Sequence, residues 1–171
     1  MNNNFDAIVV GTGISGGWAA KELTEKGLKT LVLERGRMIK HIDDYHTSNM
    51  DPWDFKGGDT ITQDARKRQP KQSRTGYVNR ESSRHFFVDD LEHPYNDDEN
   101  KFNWIRGYNV GGRSLTWGRH TYRLSEFDFE ANLKDGIAVD WPIRYKDIAP
   151  WYDYVEQYIG VQGRYEGLPQ F

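Results

Sequence analysis

The sequence predicts an α/β fold that opens with a parallel strand–helix–strand (βαβ) unit over residues 6–36. Three observations support this prediction. An apolar run at residues 7–10 leads into a Gly-x-Gly-x-x-Gly turn, a helical pattern follows and stops at Gly27, and a second apolar run at residues 30–33 ends in Glu34. This order of elements is typical of dinucleotide-binding domains.

Each glycine of the turn has a separate physical role. Gly11 permits the tight turn after the strand, Gly13 lets the backbone approach a pyrophosphate, and Gly16 lets helix and strand pack closely. The amides of the first helical turn then face the phosphate charge. The turn predicts a bound dinucleotide, although alone it does not choose between FAD and NAD.

Glu34 lies where the second predicted strand ends. A carboxylate at that point can accept hydrogen bonds from an adenosine ribose, and its charge would repel a 2′-phosphate. We therefore expect FAD or NAD rather than NADP.

The middle of the chain, residues 37–103, has few apolar residues, many charges and no sustained period of 2 or 3.6. We expect loops, short helices and at most one hairpin, in a long irregular, lid-like insertion. A basic cluster at residues 66–74 and an acidic cluster at residues 97–99 are interpreted as solvated surface, because short charge runs are common on mixed surfaces.

Regular patterns return in residues 104–160. The stretch from Gly107 to Gly118 combines a glycine pair with small and polar residues, which suits a backbone that wraps closely around a flat ligand. Further along, Ser125 and Asp128 have capping-box spacing and predict a short helix that residues 135–136 end.

A longer helix is predicted to follow residues 145–147 and to stop at Gly160, with Pro150 in its first turn. Apolar residues at helical spacing predict that one side of it packs as core. These residues are Ile148, Trp151, Tyr152, Val155 and Ile159.

The second glycine segment resembles a flavin-binding element of the glucose-methanol-choline (GMC) oxidoreductase family. With Trp117, this segment is most similar to that of the sugar-oxidising branch, which includes pyranose oxidases and glucoside or gluconate dehydrogenases. Residues 140–152 are similar to the segment that follows this element in the family, and residues 33–36 also have the family's pattern. The residues that carry the flavin-element likeness are Gly107, Val110, Gly111, Gly112, Ser114, Leu115, Trp117 and Gly118.

This resemblance implies an incomplete FAD-binding Rossmann-like domain of the GR2 type, made of the βαβ unit 6–36, the insertion 37–103 and a flavin-contacting element with following helices at 104–160. It implies oxidation of CH–OH groups of sugars or related alcohols by hydride transfer to flavin N5. Some relatives attach the flavin through a histidine at the position of Thr116, so FAD is expected to be noncovalent here. The expected cofactor-binding residues are Gly11, Gly13, Ile14, Ser15, Gly16, Glu34, Arg35, Gly111, Gly112, Ser114, Leu115, Thr116, Trp117 and Gly118.

The catalytic base of the family is a histidine far towards the C-terminus of a longer chain. We therefore expect residues 1–171 to be the N-terminal part of an FAD-binding domain, with the catalytic residues beyond Phe171, the substrate domain absent, and this chain marginally stable and inactive alone. The five histidines are interpreted as surface or structural groups. They are His41, His46, His85, His93 and His120.

The composition limits the ligands and the kinds of site that we expect. A net charge of −3 gives no reason to expect nucleic acid, and the lack of cysteine excludes disulfides and thiolate metal sites; no metal site is predicted. The chain is polar, with a mean hydropathy of −0.87, which suggests that part of the core is missing. With no signal peptide or membrane span in the sequence, the cytoplasm is the default location.

Two alternatives to an FAD-dependent oxidoreductase stay open. An NAD-linked Rossmann dehydrogenase explains the glycine turn and Glu34 but leaves the second glycine segment unexplained. A noncatalytic nucleotide-binding module is the other alternative. Expected partners are a small sugar or alcohol substrate and an electron acceptor or small subunit, and co-export with such a subunit would move the protein to the periplasm.

Overall fold

The computed structural model describes residues 4–164 and 166–168. The chain forms two compact units, Met1–Trp117 and Gly118–Phe171. The predicted section 104–160 is therefore divided between the two units. Residues 1–3 of the N-terminus, and any catalytic residue expected beyond Phe171, lie outside the described residues.

The first unit opens with the predicted α/β element. Strand β1 (Ala7–Val10) and strand β2 (Thr30–Leu33) pair in parallel, with Val9 opposite Val32, and helix α1 (Ile14–Glu25) connects them. The prediction of strand, helix and strand is confirmed. Gly27 adopts a left-handed conformation with φ of 84° just after the helix, which explains why the helix stops there.

The insertion 37–103 is irregular, as expected, but it has a core of its own. Helix α2 (Gln63–Arg68) is its longest regular element, and short 3₁₀ turns occur at Pro52–Asp54, Gln72–Arg74 and Arg84–Phe86. In place of a hairpin, this segment contains an isolated antiparallel bridge between Thr60 and Arg80. Its buried apolar side chains are Ile61, Ala65, Val78, Phe86, Phe87 and Val88.

A buried polar network joins this insertion to the residues that precede the second glycine segment. The Gln72 side chain donates to Asp90 Oδ1 at 2.9 Å and to the Trp104 carbonyl at 2.8 Å, and it accepts from the Arg106 amide at 2.8 Å. The Arg106 guanidinium lies 3.5 Å from Asp90. These hydrogen bonds between residues distant in sequence fix the start of the segment that continues to Gly112.

The second unit contains helix α3 (Glu126–Asp135) and helix α4 (Tyr145–Ile159). The predicted capping box forms at α3, where Ser125 and Asp128 each satisfy the other's backbone amide. Gly136 and Gly160 end the two helices in left-handed conformations, which confirms both predicted stops.

Two expectations for α4 are wrong. The helix begins at Tyr145, so Pro150 lies in its second turn rather than its first. The apolar stripe is only partly core: Ile148, Tyr152 and Val155 are half-buried. Trp151 is 61% exposed and Ile159 44% exposed.

Candidate cofactor-binding site

The first glycine turn lies at the carboxyl ends of the two parallel strands. The Gly11 amide donates to the Leu33 carbonyl at 2.7 Å, which ties the turn to the end of β2. A Cβ atom at Gly16 would overlap the Gly11 carbonyl oxygen and lie 2.9 Å from the Gly11 carbonyl carbon. Only glycine therefore allows α1 to start this close to the turn.

The start of α1 offers backbone donors to an anion. The Gly17 amide makes the first helical hydrogen bond, to the Gly13 carbonyl at 2.8 Å. The amides of Ile14, Ser15 and Gly16 precede that bond, so the helix leaves them for another acceptor. Since the described first turn contains no acidic residue, its electrostatics suit a phosphate.

Glu34 is held by three donors directly after β2. Its Oε2 accepts from the Thr12 amide at 2.8 Å and from the Thr12 hydroxyl at 2.5 Å, and its Oε1 accepts from the Gly36 amide at 2.7 Å. The Thr12 hydroxyl, followed by the Gly36 and Thr12 amides, holds the pKa of Glu34 below its usual value. The carboxylate is therefore ionised and fixed at neutral pH.

The second glycine segment reaches this same edge. The Val110 amide donates to the Arg37 carbonyl at 2.9 Å, just beyond Glu34. The Gly111 amide donates to the Thr12 hydroxyl at 3.0 Å, and a Cβ at Gly112 would lie 3.1 Å from the Gly13 Cα. Two glycine-rich segments that are distant in sequence are thus in contact.

Local chemistry explains the shape of this second segment. Gly111 and Gly112 have consecutive positive φ values of 88° and 56°, which branched side chains avoid. The Ser114 hydroxyl donates to the Gly111 carbonyl at 2.6 Å and closes the turn that starts the 3₁₀ helix Gly112–Thr116. Leu115 is half-buried on that helix.

The end of the segment is held mainly by local contacts. The Thr116 hydroxyl accepts from Arg113 Nε at 3.1 Å and is half-buried, while Trp117 is 41% exposed. Gly118 belongs to the second unit, where a Cβ would lie 3.7 Å from His120 Nδ1. The structure therefore brings Gly111 and Gly112 to the first glycine turn, whereas the hydrogen bond of the Thr116 hydroxyl stays within its own 3₁₀ helix.

Arg35 is held beside Glu34 by an aromatic ring. Its guanidinium lies 3.8 Å from the centre of the Tyr108 ring. The Tyr108 hydroxyl accepts from Arg106 at 2.8 Å, so this pair is continuous with the buried polar network. The insertion thereby helps to position a residue next to the predicted ribose site.

Sequence reasoning missed Thr12 and Tyr108. Thr12 occupies a variable position of the glycine motif, so the motif alone does not single it out. The signal that could have found it is a hydroxyl side chain placed beside a carboxylate that ends the neighbouring parallel strand. Tyr108 gave no such signal, because its partner Arg35 is distant in sequence.

The histidines lie among structural contacts. His85 donates from Nε2 to the Asp44 carbonyl at 2.9 Å, and burial lowers its pKa. The His93 ring packs edge-on against Tyr108, and His120 stacks with Tyr122. Within residues 4–164 and 166–168, no group of three or more His, Asp or Glu side chains is placed to hold a metal ion. Each helix that the structure describes is too short or too polar to cross a lipid bilayer.

The sequence was compared with known protein families and with curated proteins. No protein-family profile matches the chain. Paromamine 6′-oxidase of Streptomyces fradiae is 27% identical over an alignment of 167 positions that covers 95% of this chain and 24% of that protein. The gluconate 2-dehydrogenase flavoprotein of Pantoea cypripedii is 27% identical over an alignment of 172 positions that covers 92% of this chain and 25% of that protein.

A third relative, 2-methyl-1,2-propanediol dehydrogenase of Mycolicibacterium austroafricanum, is 24% identical over an alignment of 160 positions that covers 92% of this chain and 25% of that protein. The relatives are oxidoreductases. One of them is named a flavoprotein. This chain spans about a quarter of the length of the curated relatives that it matches.

Proposed function

We propose that this chain forms the FAD-binding part of a GMC-type oxidoreductase that oxidises CH–OH groups of sugars or related alcohols. The observation that carries the proposal is the contact between the two glycine-rich segments at the carboxyl edge of β1 and β2, beside the fixed carboxylate of Glu34. Ligands of parallel α/β sheets bind at that edge.

The residues present fit FAD. Helix α1 would hold the pyrophosphate through the amides of Ile14, Ser15 and Gly16. Three donors occupy the Glu34 carboxylate, which has about four acceptor positions, so Oε1 retains capacity for a ribose hydroxyl. Gly111, whose amide contacts Thr12 beside Glu34, would border the flavin end of the cofactor.

Bound FAD would accept the hydride from the alcohol carbon, and the protein would bind, orient and desolvate it. A base is needed for the hydroxyl proton, and we propose no residue of this chain for that role. His85 and His93 are already engaged with backbone and aromatic partners. Catalysis is therefore assigned to the intact enzyme, together with an electron acceptor or small subunit.

The substrate class rests on the relatives. Their names give paromamine, gluconate and a propanediol as the compounds on which they act, and each of these carries hydroxyl groups on carbon. Gluconate is itself a sugar acid, which favours the sugar-oxidising branch of the GMC family for this chain.

An absorbance spectrum of the purified intact enzyme that contains this chain tests the proposal. We expect flavin bands that bleach when a panel of sugars, sugar acids and small diols is added without oxygen. A colourless protein that binds NAD would support the NAD-linked alternative instead. Denaturation should release all the flavin into the filtrate, because the Thr116 hydroxyl cannot form the imidazole linkage; flavin retained on the polypeptide would contradict noncovalent binding.

A further inference from the structure

We propose that the Thr12 hydroxyl is a positioning group that couples the two ends of the cofactor site, by fixing the Glu34 carboxylate and seating the Gly111 amide at the same atom. This inference rests on the proposed function, because its consequence is measured as FAD affinity. Thr12 itself needs no contact with the cofactor for the coupling to operate.

The Thr12 hydroxyl acts both as a hydrogen-bond donor and as an acceptor. Its Oγ1 donates its single proton to Glu34 Oε2 at 2.5 Å and accepts from the Gly111 amide at 3.0 Å. The Thr12 amide adds a second bond to the same carboxylate oxygen at 2.8 Å. One side chain therefore joins the glycine turn after β1, the carboxylate after β2 and the second glycine segment.

The orientation of Glu34 depends on this contact. The Thr12 hydroxyl and amide occupy Oε2, and the Gly36 amide occupies Oε1 on its other side. With Oε2 taken, the free acceptor position on Oε1 is held in one direction before any ribose arrives. Such pre-organisation raises affinity because the side chain loses little freedom on binding.

Other charged groups nearby are already engaged. The Arg35 guanidinium stacks on the Tyr108 ring, and Arg37 pairs with Asp44 at 2.5 Å. The contributions that lower the pKa of Glu34 come from hydrogen bonds to Thr12, Gly36 and the Arg35 backbone. The donors that hold this carboxylate are thus hydroxyl and amide groups, of which only the hydroxyl can be removed by substitution.

The test measures FAD affinity in variants of Thr12. Valine keeps the shape and removes the hydroxyl, alanine removes it without a branched replacement, and serine retains it. A hydrogen bond to a charged group contributes enough to predict about 10- to 150-fold weaker FAD binding for Thr12→Val and Thr12→Ala. Thr12→Ser should stay within about threefold of the parent.

A matched control is available in the same βαβ unit. The Thr30 hydroxyl donates to the Leu28 carbonyl at 3.2 Å, away from both glycine segments. Thr30→Val therefore makes the same chemical change without touching Glu34. Its FAD affinity should stay within about twofold of the parent, since surface hydroxyls far from a ligand contribute little to binding.

Two further measurements separate positioning from general structural damage. Because part of the effect of Thr12 acts through Glu34, adding Thr12→Val to a Glu34→Gln background should weaken FAD binding by a smaller factor than the same substitution does in the parent. The acid limb of FAD binding should also move to higher pH in Thr12→Val, because its hydroxyl is the largest cause of the lowered pKa of Glu34. Thr12→Ser should restore the parent pH profile.

The outcomes are distinguishable. If the parent protein binds no FAD, the proposed function and this inference both fail. If the parent binds FAD and Thr12→Val and Thr12→Ala bind it within twofold, the inference fails and the proposed function stands. Additive losses in the double variant would also overturn it. Should the valine and alanine variants not fold, Thr12→Ser decides, because a loss of more than tenfold there contradicts a role for the hydroxyl.

Discussion

Replacing Gly16 by alanine should separate α1 from the turn that it packs against. The new Cβ would overlap the Gly11 carbonyl and approach the Val9 side chain at 3.6 Å. Both nearest atoms belong to the backbone of the turn, so neither can rotate away. The helix must shift, and the amides that it presents to a phosphate shift with it.

The cost of this overlap follows from known core substitutions. Forcing one extra carbon into a packed site destabilises a protein by about 1–3 kcal/mol. Gly17 is the matched control, because it lies in the same helix and a Cβ added there would meet no atom within 4 Å. Gly17→Ala should stabilise the protein by about 0.5–1 kcal/mol, since alanine restricts the unfolded chain more than glycine does.

The two variants should therefore differ by about 1.5–4 kcal/mol in the free energy of unfolding, with opposite signs relative to the parent. Urea titrations followed by circular dichroism measure this difference, and FAD binding should weaken in Gly16→Ala alone. Equal stability of the two variants, or a more stable Gly16→Ala, would refute the close packing of helix and turn at this residue.

Three other predictions test different parts of the chain. Gly112→Ala should destabilise the protein by about 1–2 kcal/mol, because φ is 56° there. Gly163→Ala is the control and should have almost no effect, since a Cβ there would meet no atom within 4 Å. Thermal melts of the two variants measure the difference. Asp90→Ala should cost about 3–5 kcal/mol in urea titrations by leaving a buried guanidinium unpaired, while the exposed Asp98→Ala stays within about 0.5 kcal/mol. Glu34 has a lowered pKa in the folded state, so the stability difference between the parent and Glu34→Gln should persist above about pH 4.3 and shrink as pH falls below it. A difference that grows on acidification would contradict the assigned hydrogen bonds.

The elements that the sequence predicted are those with local signals. Gly27, Gly136 and Gly160 end helices because only glycine enters the left-handed conformation without strain. The capping box between Ser125 and Asp128 also depends on residues only three positions apart. Such signals need no knowledge of the rest of the fold.

The core of the insertion was not predictable in this way. Val78 and Gln72 are fully buried, yet their neighbours in sequence show no helical or strand period, because short 3₁₀ turns and nonlocal hydrogen bonds hold this segment. Gln72 is satisfied by Asp90, Trp104 and Arg106, all at least 18 residues away. A buried amide with distant partners cannot be recognised from composition.

The candidate site was predictable in its residues but not in its connections. Glu34 and the glycine pair Gly111–Gly112 could be selected from their patterns. That Thr12 joins them became apparent only from the fold, because the separation of Thr12 from Gly111 is 99 residues. Trp151 shows the opposite case, in which a helical pattern predicted burial and the chain leaves the side chain exposed.

Equilibrium binding of FAD to the purified protein, with ADP and FMN as competitors, tests the proposed cofactor site most directly. In that site the adenosine end of FAD lies at Glu34 and the pyrophosphate at the start of α1. We therefore predict that FAD binds, that ADP displaces it, and that FMN, which lacks the adenosine, does not. Failure to bind FAD, or displacement by FMN but not by ADP, would contradict the assignment.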